Sequence, residues 1–424
     1  MKFEGRCHTR AVPLATYRAP GLVFSEHEFE VPLDHARRDG EKLTVFAREV
    51  VAPDRESEDM PWLVFFQGGP GHEAARPLKP DNPTWLERAL EDFRVLLLDQ
   101  RGTGRSAPVG TLPGMTAEEQ ADYLKHFRAD SIVRDAELIR AELGVERWSA
   151  LGQSFGGFCV TTYLSFAPEG LATAFITGGV PPLDRHPDEV YRATYARLLA
   201  KNRAYYERYP EDRERVRRIV ERLEADDVRL PSGDRLTPRR FRQLGNGLGM
   251  SDGFEKLHYR LELPMDSPAF LHDVQGDFSF ARNPLYAVIH EACYAPGCET
   301  RWSAERVLPD EIREDETLLT GEHVFPWMFE DYGALCPLAE AAEILADYEW
   351  PQLYDPERLS RNDVPAAAAI YAEDMYVERV YSEETAAAIR GLRPWVTDEY
   401  EHDGLRADGT RVLGRLIDLV RRGD

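Results

Sequence analysis

The segment Gly152-Gln153-Ser154-Phe155-Gly156-Gly157 constrains this chain more than any other. It follows a short apolar run, Trp148–Gly152, and precedes a run of helix-compatible residues, Phe158–Ser165. A serine with glycine two residues to either side suits a strand-to-helix turn too tight for Cβ atoms. Such a turn lifts the serine hydroxyl above the end of a parallel sheet, and the sequence supplies strands for one. Trp62–Phe66, Phe93–Asp99, Trp148–Gly152 and Ala172–Thr177 are apolar runs without alternation that end in turn residues. That pattern predicts strands buried on both faces. A helix is predicted between two of them, with Ile132, Val133, Ala136, Ile139 and Leu143 on one face. Asp130 or Ser131 can cap its start and Gly144 can end it. A further buried strand is predicted at Pro365–Tyr371, followed by a helix near Ser382–Ile389. The expected class is α/β, a mostly parallel sheet flanked by helices.

Residues 186–350 depart from this pattern. Val190 to Leu223 is rich in Arg and Glu, with Val190, Tyr191, Tyr195, Leu198 and Leu199, then Val216, Ile219, Val220 and Leu223, at helical spacing. At 424 residues the chain exceeds the roughly 250–300 residues that one core sustains. The expected organisation is therefore a core begun by residues 1–185, a mainly helical cap over 186–350, and a core completed by 351–424. Lys and Arg number 52 against 75 Asp and Glu, a net charge of −23. A chain this acidic repels phosphate backbones, so nucleic acid is not an expected partner. The five cysteines (Cys7, Cys159, Cys293, Cys298 and Cys336) are scattered, without a C-x-x-C pair, which argues against a disulfide framework and a structural zinc site. Residues 1–25 carry Arg6, Arg10 and Arg18 but no apolar stretch of signal-peptide length, and nothing approaches a membrane span. A cytoplasmic protein with no membrane partner and no metal is expected.

The chemistry follows from the elbow. Ser154 is the expected nucleophile, and the Phe155 amide one oxyanion donor. Gln67-Gly68-Gly69-Pro70-Gly71 follows the Trp62–Phe66 strand, where glycines let a backbone amide, that of Gly69, approach a substrate carbonyl. It is no phosphate loop, because no G-K-[ST] follows. Asp99-Gln100-Arg101-Gly102-Thr103-Gly104-Arg105-Ser106 is read as a structural loop beside the mouth of the site. A hydrolase of this kind takes its residues in the order Ser, acid, His. Of eleven histidines only His402 lies beyond residue 323, in a loop before a predicted helix Val412–Val420. Glu373 and Asp374 compete for the acid after the Pro365–Tyr371 strand; Asp374 is favoured, and Asp403, adjacent to the histidine, is poorly placed to face it.

Together FFQGGPG at Phe65–Gly71, DQRGTGRS at Asp99–Ser106, GQSFGGF at Gly152–Phe158, YAEDMYV at Tyr371–Val377 and EHDGLR at Glu401–Arg406 resemble the prolyl aminopeptidases (proline iminopeptidases) of the α/β-hydrolase superfamily. The likeness is to their longer bacterial branch; Gln67 stands where the shorter branch has His. The resemblance implies an α/β-hydrolase fold with a helical cap and cofactor-free release of N-terminal proline from small peptides. It also implies that acids of the cap bind the substrate's cationic secondary amine. His290-Glu291-Ala292-Cys293-Tyr294 looks like the family's H-E-x-x-Y segment, which makes Glu291 the candidate for the amine. Gly253–His258 and Gly321–Trp327 look like further family segments, and Glu255 is a second amine candidate. Phe155, Tyr294 and Trp327 are aromatic candidates for the proline slot. An esterase or amidase on the same scaffold is the first competing reading, because a triad alone does not distinguish ester from amide. A non-catalytic binding member of the fold is the second.

Overall fold

The computed structural model describes residues 12–277 and 279–422; Arg6, Cys7 and Arg10 lie outside them. Nine strands form one sheet: β1 (Ala15–Ala19), β2 (Leu22–Pro32), β3 (Lys42–Val51), β4 (Trp62–Phe66), β5 (Arg94–Leu98), β6 (Trp148–Gln153), β7 (Leu171–Thr177), β8 (Ala366–Tyr371) and β9 (Leu392–Thr397). Their order is β1-β2-β3-β5-β4-β6-β7-β8-β9. From β5 to β9 the neighbours are parallel. β1, β2 and β3 extend one edge antiparallel. The chain starts the parallel part at β4, turns to β5 on one side and then to β6 on the other. Clefts open at the C-terminal ends of strands where the order reverses in this way.

Every residue of β4, β5 and β8 is buried, as two-faced coverage requires. Val64 and Phe66 belong to the core on one face of β4, Leu63 and Phe65 to the core on the other. The four alanines of β8 leave room for helices to approach closely: Ala367 and Ala369 share a core with Val412, Leu413 and Leu416 of the C-terminal helix Gly409–Arg421. No strand is predicted before Trp62, yet β2 carries Glu28-Phe29-Glu30-Val31 with only Phe29 and Val31 buried. That alternation suits an antiparallel edge open to solvent on one face.

Helices α1 (Leu86–Asp92), α2 (Ala117–Leu124), α3 (Ala129–Glu142) and α4 (Phe155–Phe166) belong to the first half of the chain. α3 starts earlier than its sequence suggests. Its N-cap is Arg128, which makes no side-chain cap. The buried Arg128 guanidinium instead donates to the carbonyls of Ala292 and Pro351 at 3.3 and 2.6 Å, so a tertiary contact fixes where this helix begins. In α4 every residue except Phe166 is buried, marking it as the central helix under the sheet's C-terminal edge.

Between β7 and β8 the chain runs through helices from α5 (Pro187–Arg208) and α6 (Pro210–Ala225) to the short helix Pro356–Ser360. Val190, Tyr191, Tyr195 and Leu198 of α5 and Val216, Ile219, Val220 and Leu223 of α6 are buried, while Leu199 is only partly so. The Asp99–Ser106 loop is pinned by charge. Arg101 is fully buried and donates to both oxygens of Asp135, at 2.7 and 2.5 Å, and to the carbonyls of Pro32, Leu33 and His126. Removing one partner of such a pair costs about 3–5 kcal/mol, because the other charge stays buried. Gln100 then donates to the Gln67 carbonyl at 2.9 Å, tying this loop to the one after β4.

Candidate active site

The turn after β6 has the geometry its glycines allow. Ser154 sits at φ 53°, a left-handed conformation that a non-glycine residue holds only when its surroundings over-determine it. Those surroundings are tight: a Cβ on Gly156 would overlap the carbonyl oxygen of Phe66 in β4. Phe155 opens α4, so its N–H has no acceptor within the helix and faces the elbow. The loop after β4 packs directly on this turn, since a Cβ on Gly68 would lie 3.1 Å from that of Ser154. Gly69, in the same loop, lines the cavity with Ser154.

His402 follows β9 and Asp374 follows β8, both at the C-terminal edge that carries Ser154. His402 Nε2 lies 2.9 Å from Ser154 Oγ, and His402 Nδ1 lies 2.7 Å from Asp374 Oδ2. The other Asp374 oxygen accepts the backbone N–H groups of Tyr376 and Val377 at 2.8 and 3.1 Å, which fixes the carboxylate. Burial pulls the His402 pKa down, but Asp374 outweighs it by charge and hydrogen bond. Glu322 and Asp403 add to the effect, so the group titrates above its ordinary value. Glu373, the competitor, points outward to Arg197 with 61% of its side chain exposed. Asp403 accepts from Ser251 instead of facing the ring.

A cavity of about 610 Å³ opens over Ser154 and His402, walled by Gly68, Gly69, Asn246, Phe280, Tyr286 and Tyr376 among others. A narrow side slot leaves it beside the elbow, between Phe155, Phe158, Tyr294 and Val377. Glu322 lines both spaces. Two other acids line the cavity, and each has an arginine: Glu73 pairs with Arg282, Asp277 with Arg260. Glu322 has no arginine or lysine partner among the described residues. Tyr286 donates its hydroxyl to Glu322 Oε1 at 2.5 Å, and His290 Nε2 stands 3.5 Å from Oε2. Burial would raise the Glu322 pKa, yet these two donors and the nearby His402 bring it below the ordinary carboxylate value. The cavity thus has a carboxylate among its lining residues together with Ser154 and His402.

Three residues expected at the site lie elsewhere. Glu291 is buried, and its carboxylate accepts the backbone N–H groups of Ser303 and Ala304 at 3.2 and 2.8 Å, where a short helix begins. Burial pushes its pKa up to about 7 against those bonds. It lines neither the cavity nor the slot, because it satisfies backbone donors of its own segment. Glu255 pairs with Arg208, away from both spaces. Trp327 stacks on Phe325, with Arg239 over its ring, and does not reach the slot. Tyr294 does line the slot, edge-on to Phe158 at 5.4 Å. Glu322 was not singled out from the sequence. Its signals are its place in the Gly321–Trp327 segment that resembles the family and an apolar, aromatic-flanked run with no Arg or Lys within four positions, and Glu291 in its own segment meets both. Among the described residues Glu211, Asp212 and His258 could together hold a metal ion. Asp212 is, however, already bonded to Tyr205, His258 and Arg215, and the group does not line the cavity.

Residues 61–269 match the model of the alpha/beta hydrolase fold, consistent with the parallel sheet and the elbow. The chain is 49% identical over 419 residues to the proline iminopeptidase of Aeromonas sobria, covering 96% of this chain and 98% of that one. It is 36% identical over 421 residues to the proline iminopeptidase aneH of Aspergillus aculeatus, covering 93% of each. A probable proline iminopeptidase of Streptomyces coelicolor matches a shorter stretch, 33% over 117 residues, or 28% of this chain and 32% of that one. The chain belongs to the proline iminopeptidase family of α/β hydrolases.

Proposed function

We propose that this protein is a serine exopeptidase that releases N-terminal proline from small peptides, with residues of the helical segment over the sheet binding the free amine. Ser154 Oγ attacks the proline carbonyl carbon while His402 Nε2 takes its proton. Asp374 holds the His402 Nδ1–H, which keeps Nε2 free as the base and stabilises the imidazolium that forms. The N–H groups of Gly69 and Phe155 receive the oxyanion. His402 then protonates the departing amine, and water releases proline from the acyl-enzyme by the same route. Each step uses protein groups and water.

The observation that carries the reading is the Glu322 carboxylate, which lines the same cavity as Ser154 and His402 and has no arginine or lysine partner among the described residues. An acyl group bearing a positive charge next to its carbonyl needs an anion there, and a buried cation needs a carboxylate partner. Beside the elbow, Phe155, Phe158, Tyr294 and Val377 offer apolar contacts for the pyrrolidine ring. Glu322 takes the amine role that the sequence suggested for Glu291. No helix among the described residues is long and apolar enough to cross a membrane. Among the described residues the free cysteines Cys159, Cys293, Cys298 and Cys336 support a reducing, cytoplasmic setting.

The test is hydrolysis of proline, alanine, leucine and N-acetyl-proline 4-nitroanilides by wild type, Ser154→Ala and Glu322→Gln. Proline cleavage should dominate, vanish with Ser154→Ala and on acetylation, and fall on the order of 100-fold in kcat/KM with Glu322→Gln. Turnover of the N-acetyl substrate at the rate of the free amine would rule the exopeptidase reading out.

A further inference from the structure

Glu322 is not held by its own segment. Tyr286 and His290 are one helical turn apart, on the short helix Leu285–Ile289 and just past its end, so both side chains project from one face. Their rings stack at 5.1 Å with an interplanar angle of 28°, and each directs a donor at a different oxygen of Glu322. The far nitrogen of His290 has a partner too: Nδ1 is 3.3 Å from the hydroxyl of Tyr191 on α5. If Tyr191 donates there, Nδ1 is the acceptor and Nε2 carries a proton that faces the carboxylate. All three supporting side chains are buried, whereas Glu322 keeps 18% of its side chain exposed. The carboxylate is therefore gripped from behind and open in front.

We propose that Tyr286 and His290 are positioning residues that set the specificity for a free N-terminal amine by fixing the Glu322 carboxylate, with Tyr191 orienting His290. This rests on the reading of Glu322 as the anion for the substrate amine. A glutamate free to change rotamer presents no fixed acceptor and accepts from neutral substrates as well. Two fixed donors leave the remaining lone pairs aimed at one place, so the ammonium meets a preorganised partner. The Tyr286 hydrogen bond and the nearby His290 favour the anion in a site whose burial favours the neutral acid. The arrangement thus separates two tasks. Ser154, His402 and Asp374 act on any acyl group that fits, and the Tyr286–His290–Glu322 cluster decides whether it must carry a positive charge.

The experiment compares two substrates that share a five-membered ring. Proline 4-nitroanilide carries the amine; 4-nitrophenyl cyclopentanecarboxylate does not. Tyr286→Phe and His290→Gln are measured singly and each in the Glu322→Gln background, with fluorophosphonate labelling of Ser154 to count competent sites. Each single variant should raise KM for the anilide about 10-fold, with kcat and the ester within about twofold of wild type. In the Glu322→Gln background neither substitution should change the anilide KM further, because the group they position is gone. The proposal is overturned if anilide and ester fall together, if KM is unchanged, or if the effects persist undiminished without Glu322. If one variant does not label, the other decides by the same outcomes. If Glu322→Gln alone leaves the preference for the free amine intact, the reading of Glu322 itself fails, which is distinct from Tyr286 and His290 failing with Glu322 upheld.

Discussion

Replacing Asp374 with asparagine tests the catalytic assignment at its most sensitive point. The change preserves volume, and the amide oxygen can still accept the N–H groups of Tyr376 and Val377 that now bond Oδ1. What changes is the group facing His402. An –NH2 now sits 2.7 Å from Nδ1, where a carboxylate oxygen sat, so Nδ1 must become the acceptor and the ring proton moves to Nε2. Nε2 then presents a hydrogen to Ser154 Oγ across the 2.9 Å contact and cannot take one. A wrong tautomer of this kind costs roughly 10⁴-fold in kcat, or on the order of 5 kcal/mol of transition-state stabilisation. Folding should be little affected, because the two backbone bonds survive. Glu373→Gln is the internal control: its partner Arg197 is at the surface, and exposed pairs contribute about 0–1 kcal/mol. The assay is steady-state cleavage of proline 4-nitroanilide, with urea denaturation of each variant. Activity of Asp374→Asn within tenfold of wild type, or a large loss in Glu373→Gln, would refute the assignment.

The raised pKa of His402 has a sign that can be checked. The base form is needed, so kcat/KM should fall as pH drops through a limb lying above 6.5, the ordinary histidine value. Glu322→Gln removes one of the charges that hold it there, so the limb for the cyclopentane ester should move to lower pH; an unmoved or higher limb would count against the coupling. Gly156→Ala puts a methyl group into the Phe66 carbonyl and should destabilise the fold by about 3 kcal/mol, read from the urea midpoint, because neither β4 nor α4 can give way cheaply. A variant as stable as wild type would show that the elbow is looser than its contacts imply.

The residues of the triad were legible because each is fixed by something local. Ser154 lies in a glycine pattern with one geometric use, His402 is the last histidine and falls in a loop before the final helix, and Asp374 stands in the turn leaving a buried strand. Five of the parallel strands were legible for the same reason, since burial on both faces leaves an unbroken apolar run; β9 was not, because its residues alternate between buried and part-exposed positions. The carboxylate that lines the cavity was not. Glu291 and Glu322 sit in runs that read alike, both apolar, aromatic-flanked, next to a histidine and without Arg or Lys within four positions. Helical periodicity says which face of a segment is buried but not what that face meets when segments separated by tens of residues dock.

What the sequence determined by itself is therefore the centre of the sheet from β4 to β8, the elbow and the order of the reacting groups, because tight turns and two-faced strands depend on the residue types at a few consecutive positions. The tertiary structure alone decided which carboxylate faces the serine. Glu291 meets the backbone donors of Ser303 and Ala304, which satisfy it, while Glu322 meets two side-chain donors and a cavity. Both are glutamates in apolar surroundings, and the difference lies in which unsatisfied groups the packing of the helices over the sheet brings within reach.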